Sequence, residues 1–476
     1  MKIIQTVLAA FSEVLAEGAV MIPNLMFVGL YYQHYGEFDF ILPFVLLYAF
    51  EKAGTFLLSG FGRVINPYAV WLIGNITAII GCGMLLFGTG DNYFWDAGAI
   101  LTGLGLSCFS PMYRATRDAL KSEKAWLFTV SLYVGYLLLG GYLIFVMQLR
   151  SINMVTVISA VLGLVVISTV QCLLLWKRNP YSGNRIHERK TIRWDQFAYA
   201  AVVLLFTFAV RFYKQTATLW MIIWVGVGMA LLILLTVCIK HEKYRMHSLR
   251  TLWYGAERNF VTIYSLIFFM AIGKYDLVMV SYLMIGIGVV VAKLVAPVFG
   301  KLCLAIAGGG IEKRNSDLSG SGYEQNVSSS GESESKSVVP GIYEPICIIA
   351  ANAASCLMLL PWTACYMVGV AVTVVFVSMG SSSSIKAYLQ DERFIVTERR
   401  LVRARFYGLG AVIEQAFMMI AMFIFSLVIL GDGTDAISSY ALREGDAANN
   451  PVFFFTLIAC IVFNTVWGLV YCRKRV

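Results

Sequence analysis

The chain has 476 residues, 59% of them hydrophobic and only 14% charged, with a formal net charge of +9 and a mean hydropathy of +0.74. Soluble globular proteins carry about 25% charged residues, so this composition excludes an ordinary soluble domain and fits an all-α polytopic membrane protein. In such a chain the basic excess is a matter of which loops hold it, and no nucleic-acid partner is expected.

A membrane-crossing helix needs about 20 apolar residues. Segments of that kind fall near 5–32, 40–61, 68–88, 95–113, 126–147, 152–175, 196–211, 216–239, 252–272, 275–300, 343–360, 362–384, 407–430 and 451–471. The segment 196–211 is the weakest, being short and followed by Arg211 and Lys214. The first is too long for a signal-peptide core and lacks a small-residue cleavage site, so it reads as a span. The loops expected inside carry Arg63, the group Arg114 to Lys124, Lys177 to Arg193, Lys240 to Arg250, Lys301 to Lys336, Lys386 to Arg405 and the tail Arg473-Lys474-Arg475. The outside loops keep Arg150, Arg211, Lys214, Lys274 and Arg443. That asymmetry predicts cytoplasmic N- and C-termini.

Two short signals bracket the second span and return later. Gly36-Glu37-Phe38-Asp39 is echoed by Gly273-Lys274-Tyr275-Asp276, 237 residues on, and Phe61-Gly62-Arg63 by Phe299-Gly300-Lys301, 238 residues on. The expectation is a duplicated half, with 1–178 and 251–476 as six-helix bundles and 179–250 as a linker holding two extra helices. Residues 311–340 are rich in Ser, Gly and Glu, too polar to pack, and read as a disordered cytoplasmic loop. Phe299-Gly300-Lys301 reads as an exit turn like Phe61-Gly62-Arg63.

Charge inside the hydrocarbon costs about 2.5–3.5 kcal/mol per residue on insertion scales, which makes intramembrane charges few and informative. Glu13 and Glu17 lie four apart on the first span and share a helix face. Glu51 and Lys52 sit midway along the second, and Lys293 lies within about a turn of where the repeat would place Lys52. These five are the candidates for a proton and substrate cavity, set against the plainer reading of fixed interhelical ion pairs. Arg63, Arg114, Arg117, Asp118 and Lys301 are the candidates for a cytoplasmic gate, where carboxylate and guanidinium could latch the halves. Glu257, Arg258 and Glu414 read as lying nearer the cytoplasmic face, where snorkelling is easier.

The remaining residue types carry less. The ten cysteines are scattered without a Cys-x-x-Cys pair, so they read as packing residues. The four histidines all lie in loops. No metal cluster, phosphate loop or nucleophile motif is present, and no cofactor is expected. Glycines from Gly81 to Gly141 read as close helix packing, and Trp95, Trp220, Trp224 and Trp253 as interfacial anchors.

The 6+2+6 layout resembles the major facilitator superfamily, in the branch with two extra central helices. Further marks are Arg63 after the second span and the fourth-span segment Gly103-Leu104-Gly105-Leu106-Ser107-Cys108-Phe109-Ser110-Pro111-Met112-Tyr113-Arg114-Ala115. The exit Gly60-Phe61-Gly62-Arg63 lacks the family's Asp and second basic residue. Gly135 to Gly141 lacks the Gly-Pro of drug antiporters. Glu13-Val14-Leu15-Ala16-Glu17-Gly18 departs from the Glu-x-x-Glu-Arg of the superfamily's peptide transporters, in spacing and in having no Arg. The resemblance implies a secondary transporter that moves a small solute by alternating access, coupled to protons, as a monomer in the lipid bilayer of the plasma membrane and not an enzyme. Two alternatives stand beside it. A lipid-linked saccharide flippase would need a wide basic cavity, against which the scarcity of arginines in the spans counts. A non-transporting receptor or membrane enzyme would have a sealed interior or an interfacial catalytic cluster.

Overall fold

The computed structural model describes residues 2–18, 38–61, 66–88, 92–119, 125–148, 154–176, 192–213, 218–238, 245–316, 343–390, 396–437 and 450–473. Among these, the long elements are fourteen α-helices, and each expected span coincides with one. They are α1 (Lys2–Gly18), α2 (Phe38–Gly60), α3 (Pro67–Phe87), α4 (Asn92–Ala119), α5 (Ala125–Gln148), α6 (Met154–Trp176) and α7 (Trp194–Tyr213). Then come α8 (Leu219–Cys238), α9 (Arg245–Ala271), α10 (Tyr275–Ser316), α11 (Tyr343–Ser355), α12 (Thr363–Gln390), α13 (Val396–Leu430) and α14 (Asn450–Arg473). A 3-10 turn, Cys356–Leu359, completes the span that α11 begins. The weakest expected span is a full helix, α7. Only α1 represents the first, since 19–37, including the Gly36 signal, lie outside the described residues.

Local chemistry fixes several ends. Asn66 caps α3, its side-chain oxygen accepting from the amides of Tyr68 at 3.1 Å and Ala69 at 3.3 Å. Pro67 follows at the first helical position, where its missing N–H costs nothing. Helix α9 ends on Gly273, whose φ of +69° only glycine adopts freely. Its amide donates to Met270 O at 3.1 Å and that of Lys274 to Phe269 O at 2.9 Å, which satisfies the last carbonyls.

Two expectations about α10 are corrected. Phe299-Gly300-Lys301 is no exit turn, because the helix runs through Gly300 to Ser316 and Lys301 is exposed on its flank. The six residues Leu302 to Ala307 are apolar or small enough to carry the helix on, whereas in the first half Pro67 fixes a new start. The same extension takes residues 311–316 out of the expected disordered loop; 317–340 lie outside the described residues.

The first six helices and the last six pack in the same order. Helix α3 lies against α4 and α6, α2 against α4, and α1 against α4, α5 and α6. In the second set α11 lies against α12 and α14, α10 against α12, and α9 against α12, α13 and α14. Glycine sets the closest approach: a Cβ on Gly81 would sit 2.5 Å from Thr102 N on α4. The intervening pair is shared, α7 packing on α2 and α8 on α13. The architecture is two six-helix bundles plus two intervening helices.

Seven described helices are long and apolar enough to cross a membrane, and four more are apolar but shorter. The three outside both sets, α1, α4 and α9, carry Glu13 and Glu17, Arg114 and Arg117, and Glu257 and Arg258. Outward faces are apolar, with Trp220, Trp224 and Leu205 each about two-thirds exposed or more. The chain is a multi-pass integral membrane protein. Trp253, expected as an interfacial anchor, is instead fully buried, its indole donating to Asn464 O at 2.9 Å. It packs with Tyr254 and Ile348 between α9, α11 and α14.

Candidate functional site

Polar residues on helices that face away from lipid must meet each other, and here they meet around one cavity of about 810 Å³ between the bundles. The N-terminal bundle contributes Glu13 and Glu17 from α1, Glu51 and Lys52 from α2, and Arg114 and Arg117 from α4. The C-terminal bundle contributes Arg258 from α9, Lys293 from α10, Lys386 from α12, and Arg400 and Arg403 from α13. Pro111 stands inside α4 one turn before Arg114, and its missing N–H breaks a helical hydrogen bond there.

The acids are engaged. Glu13 lies against two guanidiniums, Arg117 Nη1 at 2.7 Å from Oε2 and Arg114 Nη2 at 3.2 Å from Oε1. Glu17, one turn further along the same face, has Lys293 Nζ at 3.0 Å and Arg114 Nη2 at 3.8 Å from Oε1. Its other oxygen accepts from the hydroxyl of Tyr136 on α5. Lys293 also sits 5.1 Å from the centroid of the Tyr136 ring. The Glu17 carboxylate is therefore a junction of α1, α4, α5 and α10, and its Lys293 contact crosses between bundles. Glu51 and Lys52 pair with each other at 3.2 Å, and the Lys52 ammonium lies 4.9 Å over the Tyr48 ring.

Several bases in the C-terminal wall are held by hydroxyls rather than carboxylates. Arg258 donates to Ser378 at 3.3 Å, and Arg403 donates to Ser381 and stacks 5.4 Å over Tyr407. Counted over the lining, eight basic side chains face three carboxylates. Low-dielectric walls lined by one sign of charge concentrate the opposite ion, so the cavity attracts anionic groups. It extends from mid-helix residues such as Thr262 and Tyr282 to Arg117, Lys386, Leu389 and Arg400 at the helix ends that carry the basic loops.

No family model matches the chain, and no curated protein matches its sequence. Solved structures do match. A POT family transporter in complex with a thioalcohol-conjugated peptide aligns over 99% of this chain and 96% of its own, with a TM-score of 0.56 at 12% identity. A bacterial homologue of the human drug peptide transporters aligns over 99% and 98%, with a TM-score of 0.51 at 11% identity. A nucleoside transporter aligns over the full length of both chains, with a TM-score of 0.51 at 9% identity. The chain has a major-facilitator-like fold.

Of the residues expected at the cavity, Glu13, Glu17, Glu51, Lys52 and Lys293 all line it. Among the described residues, the members of the expected gate group do not come together. Arg114 and Arg117 turn inward to Glu13 and Glu17 and belong to the cavity, because the carboxylates one helix away are their nearest counter-charges. Lys301 is exposed and lines nothing in it, while Arg63 and the Asp118 side chain lie outside the described residues. The cavity also holds what sequence reasoning missed. Arg400 and Arg403 read as ordinary basic loop residues, yet α13 begins at Val396 and carries both into the wall, so arginines are not scarce there. Arg258 lines the cavity rather than snorkelling. The legible signal was their spacing: Arg400 and Arg403 lie three apart, on one helix face.

Glu257 and Glu414 do not line the cavity and are fully buried among α9, α13 and α14.

Proposed function

We propose that this protein is a secondary active transporter that moves a small solute bearing an anionic group across a membrane by alternating access. The observation that carries the reading is the cavity itself: it is built from both bundles, and eight basic side chains outnumber three carboxylates in its lining. A substrate site between repeated halves is the arrangement such transporters use. The peptide and nucleoside transporters with the same fold support it. The site is complete within one chain, so a monomer suffices, and nothing in it resembles an enzyme's nucleophile and base.

Residues 1–178 and 251–476 act as the two moving units in this reading, with 179–250 joining them as the two extra helices of the branch. With both termini cytoplasmic, in a plasma membrane, the cavity opens inward. Arg258, Arg400 and Arg403 receive the solute's anionic group. Proton coupling runs through Glu17, since protonating its carboxylate removes the charge that holds Lys293 of the other bundle. Glu13, offset by two arginines, keeps α1 and α4 together, and Lys52 is a second anion contact.

The test is uptake into proteoliposomes under an imposed pH gradient, using labelled carboxylates, dipeptides and organic phosphates. Saturable uptake of at least one, lost in Glu17→Gln while the protein stays folded, is the expected result. A basic cavity is also what the flippase reading requires. Absence of uptake together with translocation of a lipid-linked saccharide would replace the first reading with the second.

A further inference from the structure

The C-terminal bundle contains a second group of acids that the cavity does not use. Glu257 on α9 and Glu414 on α13 are both 0% exposed, and none of their four carboxylate oxygens has a hydrogen-bond partner among the described residues. Asn464 on α14 stands beside both carboxyl groups. It is also fully buried, and neither its Oδ1 nor its Nδ2 meets a partner in hydrogen-bonding geometry among the described residues. Gln415, next along α13, is buried and unpartnered in the same way. This polar group sits inside the apolar core formed by Leu252, Phe260, Val412, Ala416 and Ile461.

The backbones force the juxtaposition. A Cβ on Gly255 would collide with the Tyr407 backbone, and one on Gly410 with the Leu252 backbone, so α9 and α13 touch main chain to main chain. Glu257 and Glu414 follow these contacts on their own helices and are trapped with α14 closing over them.

Charge balance decides what the group holds. Ionised carboxylates do not persist in an apolar core without a counter-charge. The titratable side chain that faces them from α14 is Cys460, and no basic side chain faces them from α9, α10, α12, α13 or α14 among the described residues. Arg258, beside Glu257 in sequence, points instead to Ser378 and the cavity. Protons need no added space and supply the missing donors: with both carboxyls neutral, an O–H is given to the other carboxyl group or to Asn464 Oδ1. We propose that Glu257 and Glu414, with Asn464 beside both, form a proton-binding site inside the C-terminal bundle, separate from the cavity. The same two helices form part of the cavity wall. Asn259 and Ala411 line it, and Asn259 Nδ2 donates to Ala411 O at 2.8 Å across the α9–α13 seam.

The site is tested on the purified full chain by infrared spectroscopy, which needs no substrate and so fails or succeeds independently of transport. At neutral pH a protonated-carboxyl band is expected in the wild type and in Glu17→Gln. It should weaken in Glu257→Gln or Glu414→Gln and vanish in the double variant. Asn464→Leu, which removes no acid, should shift the band and keep its intensity, and it decides the matter if the double variant does not fold. A band absent at neutral pH, unchanged in the double variant or unshifted in Asn464→Leu would overturn the proposal. So would a band lost when choline is replaced by sodium, which would mark a metal cation site.

Discussion

Two acidic groups stand in the two bundles and are handled in opposite ways. Around Glu13 and Glu17 the carboxylates face a cavity, and Arg114, Arg117 and Lys293 meet them at 2.7 to 3.8 Å. Around Glu257 and Glu414 the carboxylates face a packed core with no base among the described residues. The first arrangement is a charge network that lines the cavity, where the proposed solute and protons would meet it. The second stores neutral acid in the bundle wall. The difference teaches that an intramembrane glutamate is not read by its depth alone but by whether a neighbouring helix brings a cation to it.

Breaking the first arrangement should give the largest effect. Arg114 is shared by Glu13 and Glu17, so Arg114→Ala leaves buried negative charge under-compensated. Removing one partner of a buried pair costs about 3–5 kcal/mol, and a large fall in the midpoint of thermal unfolding in detergent should show it. A change below about 1 kcal/mol would mean that the network is solvated and fixed less tightly than its distances suggest.

The second arrangement should respond with the opposite sign. Glu414→Gln removes an acid that has no basic partner, at the same side-chain size. Its cost of burial is on the scale of about 1–3 kcal/mol for an unsatisfied polar group, so thermal unfolding should be unchanged or shifted upward. A strong downward shift would show that Glu414 has a stabilising partner. Smallest of all should be Lys293→Ala. Its pair with Glu17 is partly exposed, with side chains 34% and 25% accessible, so solvent screens it and its share of stability is about 0–1 kcal/mol. Unfolding should hardly move, while the apparent affinity for an anionic solute in uptake assays should fall. A lipid-facing control, Trp220→Ala, should alter neither, since Trp220 is 73% exposed on α8.

Much of the fold was legible because a membrane simplifies the code. Apolar runs of helical length became helices one for one, and the basic residues at their ends agreed with that count. The cavity acids were legible too, because charge in a span is rare enough to stand out. What escaped was where helices begin and turn. Arg400 and Arg403 were read as loop residues because Glu398, Arg399 and Arg405 crowd the stretch with charge, yet α13 starts before them at Val396. Lys301 was read as an exit because Phe299-Gly300 resembles Phe61-Gly62, but a glycine inside an apolar run does not stop a helix when its neighbours satisfy the backbone. The meeting of Glu257 and Glu414 escaped for a different reason. They are 157 residues apart in sequence, and only the glycine contacts between α9 and α13 bring them together.

The central claim is that the bundles move about the cavity and that the Glu17 junction controls the movement. Electron-spin distance measurements between labels at the cavity mouth, one near Arg117 on α4 and one near Leu389 on α12, test it without knowledge of the solute. The account predicts two distance populations whose weights change with pH in the wild type and no longer change with pH in Glu17→Gln. A single population, indifferent to pH in both proteins, would contradict it.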